Sequence, residues 1–343
     1  MAERSADISD EWDAFVASHP SGHHEQTSMY GVERRKYGYE ARCVAVREQG
    51  CIIGGAQVLV MRTPLGRIAH VRSAPLARDD APEQLDAVVR TLRDHARDTG
   101  ITSLRVDTLP NQAAARAALE RGGFRSADGW AERVVSRTFD LTLDDDTLMK
   151  RMRPKGRYNL RLARRSGVEV QVGGAELLKP FYNLHVGTAS HQGFPVFPIT
   201  YYDELLALLR PAGRIWILLA TVEGQYVSAI CNIRVGDCMY YCWGGLERDS
   251  RHLKAMPNYL LHFTALQLAR EQGCVTYDLI GDTQFKRKLT DQLTAWPASH
   301  QYFSGKLAGV RRGLFEAAGS RPRVQRLVRR AARRLGMRPK MPY

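Results

Sequence analysis

The chain reads as an α/β protein made of two tandem domains that share one plan. Its 343 residues are enough for two domains of ordinary size. Short β-prone runs alternate with Pro-led helical segments that stop at glycine. The alternation also occurs twice: residues 43–50 and 218–225 each open a hairpin, and each is followed by a second strand, a third strand, a helix and a short strand. The helix stops, Gly100 and Gly273, repeat at a spacing of about 175 residues, as the first strands do.

An apolar content of 44% supports full cores. No apolar run reaches the ~18 residues that a membrane span needs. The start, Met1-Ala2-Glu3-Arg4-Ser5-Ala6-Asp7, is polar and is followed by no apolar signal core, so the expected location is the cytoplasm. Six cysteines without a CxxC pair or neighbouring histidines predict reduced, buried thiols and no metal site. A net charge of +14 favours polyanionic partners such as RNA, sugar nucleotides or an anionic membrane face. That charge is concentrated: residues 150–165 hold eight cations and no acid, and 311–340 hold eleven cations against Glu316 alone.

In the first repeat, residues 8–16 predict a helix, and Gln26, Tyr30 and Arg34 follow at four-residue spacing. Residues 41–60 predict two strands joined by a Gly-containing turn, and 67–73 continue the sheet. Asp80 and Pro82 read as N-cap and first turn of a helix. Leu85, Val88, Val89, Leu92 and Ala96 mark its buried face and Gly100 its stop. A strand over 101–106, a helix over 111–121 closed by Gly122-Gly123, and a strand over 133–141 complete this half.

The second repeat begins in the basic stretch 144–165. A helix over 177–190, a stiff Phe194-Pro195-Val196-Phe197-Pro198 turn and a helix opened by Tyr201-Tyr202 follow. Residues 215–235 form a hairpin turning at Glu223-Gly224-Gln225. Met239-Tyr240-Tyr241-Cys242-Trp243 is an aromatic strand closed by Gly244-Gly245, in which one of Tyr240 and Tyr241 faces the core. Pro257 opens a helix, Gly273 stops it, and Val275-Thr276-Tyr277 is a short strand. Residues 278–288 then leave regular structure, carrying Phe285, Lys286, Arg287 and Lys288. The tail from Val324 is amphipathic, with Leu327, Val328, Ala331, Ala332 and Leu335 on one face and arginines on the other; it packs on the first domain or lies on an anionic membrane.

These motifs resemble the FemABX family, aminoacyl-tRNA-dependent transferases that add amino acids to peptidoglycan precursors. The resemblance is carried by Gln26, Tyr30 and Arg34, by the ordered Arg157-Tyr158-Asn159-Leu160-Arg161-Leu162-Ala163 segment ending in Gly167-Val168, and by Tyr240-Tyr241, Pro257, Tyr277-Asp278 and Phe285-Lys286. It implies two tandem GNAT-like domains, over 1–143 and 144–308, followed by a basic helical segment over 309–343. No heptad run long enough for the coiled-coil arm of some members is present. The resemblance gives Phe285 and Lys286 the tRNA 3′ end, with Lys286 also the catalytic cation and Arg287 and Lys288 adding phosphate contacts. It gives Arg34, Tyr201 and Tyr241 contacts to the acceptor. Asp79 matches the family's acid one position late, and a charge near a helix N-terminus accounts for it more simply.

The residues also point away from acetyl-CoA. Neither repeat holds a Gln/Arg-x-x-Gly-x-Gly/Ala loop for pyrophosphate, and Arg121-Gly122-Gly123-Phe124 has the wrong spacing. The expected reaction is amide formation from an aminoacyl-tRNA co-substrate, without a cofactor or metal, on a UDP- or lipid-linked muropeptide. A small amine or peptide acceptor in natural-product biosynthesis is the alternative, and a FemAB-like acyl transfer in exopolysaccharide assembly a further one.

Overall fold

The computed structural model describes residues 4–35, 37–64, 66–127, 135–247, 251–295 and 298–319. In chain order the helices are α1 (Arg4–Ser18), α2 (Ser28–Arg35), α3 (Pro82–Asp98), α4 (Ala113–Arg121), α5 (Asp145–Arg151), α6 (Pro154–Arg165), α7 (Leu178–Gln192), α8 (Ile199–Leu209), α9 (Pro257–Glu271), α10 (Lys286–Leu289) and α11 (Ala308–Gly319). The strands are β1 (Tyr39–Glu48), β2 (Cys51–Thr63), β3 (Gly66–Arg72), β4 (Leu76–Ala77), β5 (Ile101–Asp107), β6 (Arg125–Ser126), β7 (Val135–Asp140), β8 (Glu169–Gly173), β9 (Ile215–Val222), β10 (Gln225–Val235), β11 (Cys238–Leu246), β12 (Thr276–Asp278), β13 (Leu293–Ala295) and β14 (Ser299–Phe303).

The described residues form two units, each with its own sheet and core. The first sheet has the order β1-β2-β3-β5-β14-β6, with β4 beside β2; the second has β13-β7-β12-β11-β10-β9-β8. The repeated plan is present as topology. In each half two antiparallel pairs, β1-β2-β3 or β9-β10-β11, lead through a Pro-led helix to a parallel partner, β5 or β12. The turns follow from local chemistry. Gln49 and Gly50 both take positive φ (50° and 84°), as a two-residue hairpin turn of matching twist demands. Pro82 and Pro257 occupy helix N1 positions. Asp80 does not cap α3: the N-cap is Ala81, without a side-chain bond, and Asp80 lies in the preceding turn at φ 50°.

The domain boundaries differ from those expected. The strand β7 belongs to the second unit, where it pairs antiparallel with β12 and β13 and sets Phe139 edge-on to Tyr277, with ring centres 6.4 Å apart. Conversely β14 belongs to the first unit, paired with β5 and β6, where Tyr302 meets Phe124 at 5.1 Å. The division at 143/144 therefore moves ahead of β7, and the one at 308 moves ahead of β14. Chain position suggested the opposite assignment, but hydrogen-bond partners and burial decide to which core a strand belongs. The start of the basic segment, α11, lies in the first unit next to β14, whereas the amphipathic stretch from Val324 lies outside the described residues. No described helix is long and apolar enough to cross a membrane. Cysteine burial is mixed: Cys231, Cys238 and Cys274 are buried, Cys43 and Cys242 half-buried, and Cys51 is exposed.

Gly244-Gly245 does not close the aromatic strand, since β11 continues to Leu246. The two glycines are places of close approach. A Cβ on Gly245 would stand 2.3 Å from the Leu184 carbonyl carbon in α7, and one on Gly244 would stand 2.2 Å from the Tyr241 hydroxyl. Because backbone cannot give way as a side-chain tip can, Gly245→Ala is expected to destabilise the protein by about 1–3 kcal/mol. A fall in Tm of several degrees in a thermal melt would show this; an unchanged Tm would refute the packing described.

Candidate functional site

The second unit contains a local break in its sheet. Strands β11 and β12 run parallel for three pairs, Cys238↔Thr276, Met239↔Tyr277 and Tyr240↔Asp278, after which β12 ends while β11 continues. Tyr241 is the first residue beyond the pairing, so its backbone and ring border the split. Past β12 the chain turns through Ile280 (φ 49°) and Gly281 (φ 95°). A left-handed conformation at a β-branched residue is strained and persists only when its surroundings enforce it. Here the Ile280 N–H donates to the Asp278 carboxylate (2.7 Å), which also accepts from the Ser136 hydroxyl, and the Gly281 N–H donates to Ser136 Oγ (3.1 Å). The turn presents the Ile280 carbonyl to Lys286, whose ammonium donates to it at 2.5 Å.

The one-turn helix α10 decides which of three successive cations turns inward. Residues three apart share a helix face, so Lys286 goes in with Leu289; Arg287 is exposed and Lys288 half-buried. Lys286 is only 9% exposed, with Nζ 5.3 Å from the centre of the Tyr241 ring. It is not a solvated loop charge. Burial pushes its pKa down to about 8, against the smaller pull of the Asp278 and Asp282 charges. Burial also pushes Tyr241 up to about 12. Gly156 permits the arrangement: a Cβ there would stand 2.1 Å from the Lys288 carbonyl oxygen, so α6 packs on α10 only because that position is glycine.

The structure places the other expected residues as follows. Phe285 is half-buried at the N-cap of α10, edge-on to Tyr259 (5.3 Å) and tilted against His262 (5.5 Å). Arg287 is held by Asp282 through two 2.9 Å contacts, which together with Arg137 keep the Asp282 carboxyl down at about 2. Tyr241 is the half-buried member of its pair and Tyr240 the core member, 3% exposed. Tyr201 stacks on Phe197 (3.9 Å) and meets Trp243 edge-on, in an aromatic group apart from the Lys286 contacts. Arg34 and Asp79 belong to the first unit. Arg34 is buried, salt-bridged to Glu33 at 2.9 Å and stacked under Tyr30 (4.5 Å) and Tyr37 (5.2 Å), which excludes a free helix-face charge. Asp79 is exposed in the turn before α3.

Two residues around Tyr241 escaped sequence reasoning. His262 on α9 is 3% exposed and sets its ring edge-on to Tyr241, 4.8 Å away. Asn232 on β10 pairs with Tyr241 across the ladder and accepts a 3.0 Å hydrogen bond from the Tyr277 hydroxyl. The available signal was weak: one polar residue among mostly apolar neighbours on a strand and on a helix.

A depressed lysine pKa carries a consequence for stability. Between about pH 8 and the ordinary lysine range the unfolded chain binds the proton and the folded one does not, so this group's penalty is full below pH 8 and fades as pH rises. Lys286→Met removes the buried charge but leaves the Ile280 carbonyl without its donor. The net gain at pH 7 is expected to be about 1–2 kcal/mol, shrinking above pH 8. Urea melts at pH 7 and pH 10 measure it; a variant less stable than wild type at pH 7 would contradict the burial penalty.

Comparison with known proteins agrees with this architecture. Residues 8–122 match the model of the FemAB family, and residues 150–287 match an acetyltransferase (GNAT) domain. A lipid II:glycine glycyltransferase of Staphylococcus epidermidis is 24% identical, over 83% of this chain and 85% of its own. One from Staphylococcus aureus is 21% identical, over 83% and 86%. Among solved structures, FemX superposes with a TM-score of 0.74 at 19% identity, over 91% of this chain and 98% of its own. L-PGS from Bacillus licheniformis does so at 0.51 and 13% identity, over 81% and 89%. The twin sheets, a first half that matches the FemAB family model and a second half that matches a GNAT domain agree with the resemblance to the FemABX family and with an acyl- or aminoacyltransferase.

Proposed function

We propose that this enzyme transfers an aminoacyl group from tRNA to an amine of a lipid- or UDP-linked peptidoglycan precursor. The observation that carries the reading is the buried Lys286 in the strand split, next to Tyr241 and Phe285. Relatives aligned over most of the chain are named for glycine transfer to lipid II, which supports the acceptor class. An aminoacyl ester is already activated, so the reaction needs no ATP, metal or cofactor. The acceptor nitrogen attacks the ester carbonyl carbon and a new C–N bond forms. The C–O bond to the ribose breaks, and the proton lost by the amine ends on the departing ribose oxygen. Negative charge develops on the carbonyl oxygen and then on the ribose oxygen. A cation held in low-dielectric surroundings stabilises both far more than it would in water. With tRNA as donor, the reaction is placed in the cytoplasm.

A path for the RNA fits the same unit. On α6 and its N-cap, Arg153, Lys155, Arg161, Arg164 and Arg165 are exposed, as is Tyr158, which is 52% exposed with the Lys155 ammonium 4.9 Å from its ring centre. The close α6–α10 contact at Gly156 sets this helix beside the Phe285-Lys286 segment, with the basic face turned outward. Cations interleaved with an exposed aromatic suit phosphates and unpaired bases. Arg287, tied to Asp282, contributes less than its sequence position suggested.

The deciding experiment mixes protein, labelled aminoacyl-tRNA and a muropeptide acceptor, with and without ribonuclease. Ribonuclease-sensitive label should appear in the acceptor, and Lys286→Ala should lower kcat at least about 100-fold with the fold intact. Full activity of that variant would remove the assignment; absence of transfer with every aminoacyl-tRNA would remove the donor. A second prediction concerns salt. Replacing Lys155, Arg161 and Arg165 by Ala should reduce the slope of log Kd against log salt for tRNA by about 2–3. An unchanged slope would place the RNA elsewhere.

A further inference from the structure

Around Tyr241 two buried polar atoms have no hydrogen-bond partner. Asn232 is 0% exposed; the Tyr277 hydroxyl donates to its Oδ1 at 3.0 Å and so fixes the amide, leaving Nδ2 without an acceptor. His262 is 3% exposed and its Nδ1 has no partner. Both flank one ring: Asn232 is Tyr241's partner across the ladder, and the His262 imidazole stands edge-on to it at 4.8 Å. Folded proteins rarely leave such atoms unbonded, because the loss of hydration is then uncompensated, and a buried orphan asks for an explanation. Neither atom belongs to the Lys286 ammonium, whose hydrogen bond goes to the Ile280 carbonyl.

The two orphans differ in kind. Asn232 Nδ2 is a donor whose direction is fixed by Tyr277. Burial and the Lys286 charge push the His262 pKa down to about 3, so at neutral pH the ring is uncharged, and the tautomer with its proton on Nε2 is the one that offers a lone pair at Nδ1. One fixed donor and one acceptor beside a cation match a particular ligand group. In an α-aminoacyl ester the carbonyl oxygen accepts and the α-amine donates, the two separated by two carbon atoms. A nucleotide phosphate offers acceptors only and leaves the imidazole lone pair unmet. A simple acyl ester fills the donor and leaves the acceptor empty.

We propose that Asn232 and His262 form the subsite for the aminoacyl end of the donor, Asn232 Nδ2 bonding the ester carbonyl oxygen and His262 Nδ1 the α-amine. This rests on the tRNA-dependent reading above and deepens it: the subsite admits the α-aminoacyl class and discriminates against acyl groups without the amine. The neighbouring ammonium of Lys286 favours the neutral amine over its protonated form. His262 acts as a specificity residue, Tyr277 as a positioning residue for Asn232.

The test compares two donors, the aminoacyl-tRNA that wild type uses best and the tRNA bearing the same acyl group without its α-amine. Wild type should prefer the aminoacyl donor by about 10,000-fold in kcat/KM, as a site built to hydrogen-bond a substrate N–H rejects the analogue that lacks it. In His262→Phe that preference should fall to within about threefold. His262→Met, which fits gaps that a phenyl ring does not, carries the same expectation if the Phe variant does not fold. His262→Gln, which keeps an acceptor, should retain part of the preference. Asn232→Leu should lower kcat on both donors alike and leave the preference between them unchanged. Preference undiminished in folded His262→Phe or His262→Met overturns the subsite while tRNA-dependent transfer stands. Wild-type inactivity with all aminoacyl-tRNAs overturns the donor reading and the subsite together.

Discussion

The second unit depends on keeping a lysine inside a split sheet. The hydrogen bond from Lys286 to the Ile280 carbonyl exists only because several local rules are set aside at once. Strand pairing between β11 and β12 stops after Asp278, the chain turns left-handed at a β-branched residue, and α6 approaches α10 to within backbone contact at Gly156. Each of these is unfavourable alone. The left-handed isoleucine costs about 1–3 kcal/mol, and burial of the ammonium a similar amount. They are offset by the core beneath, where Leu160 and Ala163 of α6, Leu261, Ala265 and Leu266 of α9, and Trp216, Leu218 and Ala220 of β9 pack together. The split is stable because α6 and α9 bury against the part of the sheet that is still paired.

The two halves use one topology differently. In the first unit the parallel pair β3–β5 runs from Arg67↔Ile101 to Arg72↔Asp107, and the backbone continues the closure with the Ala74 N–H donating to the Asp107 carbonyl at 3.2 Å. Charged groups there neutralise one another. Arg72 meets Glu25 at 2.6 Å, and Asp107 takes both His70 (2.6 Å) and Arg105 (3.0 Å). Those contacts hold the Asp107 carboxyl well below the ordinary carboxylate range despite burial, which by itself would raise it. A sheet closed and internally paired in this way suits a rigid surface for binding. A sheet opened around an ammonium depressed to about pH 8 suits chemistry.

Most of the architecture was legible because its signals are local. Hairpin turns need residues that accept positive φ, as Gln49-Gly50 and Glu223-Gly224 do; helices begin at Pro82 and Pro257; Gly100 and Gly273 take the left-handed positions past their ends. The exchange of β7 and β14 was not legible, because alternation marks a strand without naming its partner. Nor did Gly244-Gly245 reveal itself: glycine in a strand reads as an end, whereas here the Leu184 backbone and the Tyr241 hydroxyl occupy the space of the missing methyls. Within the candidate site, the Phe285-Lys286 pair was visible as a pattern, but its burial was not. Three consecutive cations look alike until a four-residue helix assigns them to different faces.

Asn232 and His262 illustrate a more general limit. A polar residue on a core-facing position is ordinarily satisfied by a neighbour, and sequence carries no record of whether that neighbour is protein or ligand. Only the accounting of buried atoms separates the two cases. Asn232 has one end of its amide tied to Tyr277 and the other end unmet, while the Tyr182 hydroxyl, by contrast, donates to the Phe197 carbonyl at 3.0 Å and is satisfied within the fold. The unmet pair flanks Tyr241, the first residue of β11 past its pairing with β12. Strand pairing ends, the charge is buried and hydrogen-bonding capacity is left over within a few residues of Tyr241. That coincidence is what the proposed subsite for a small polar group requires.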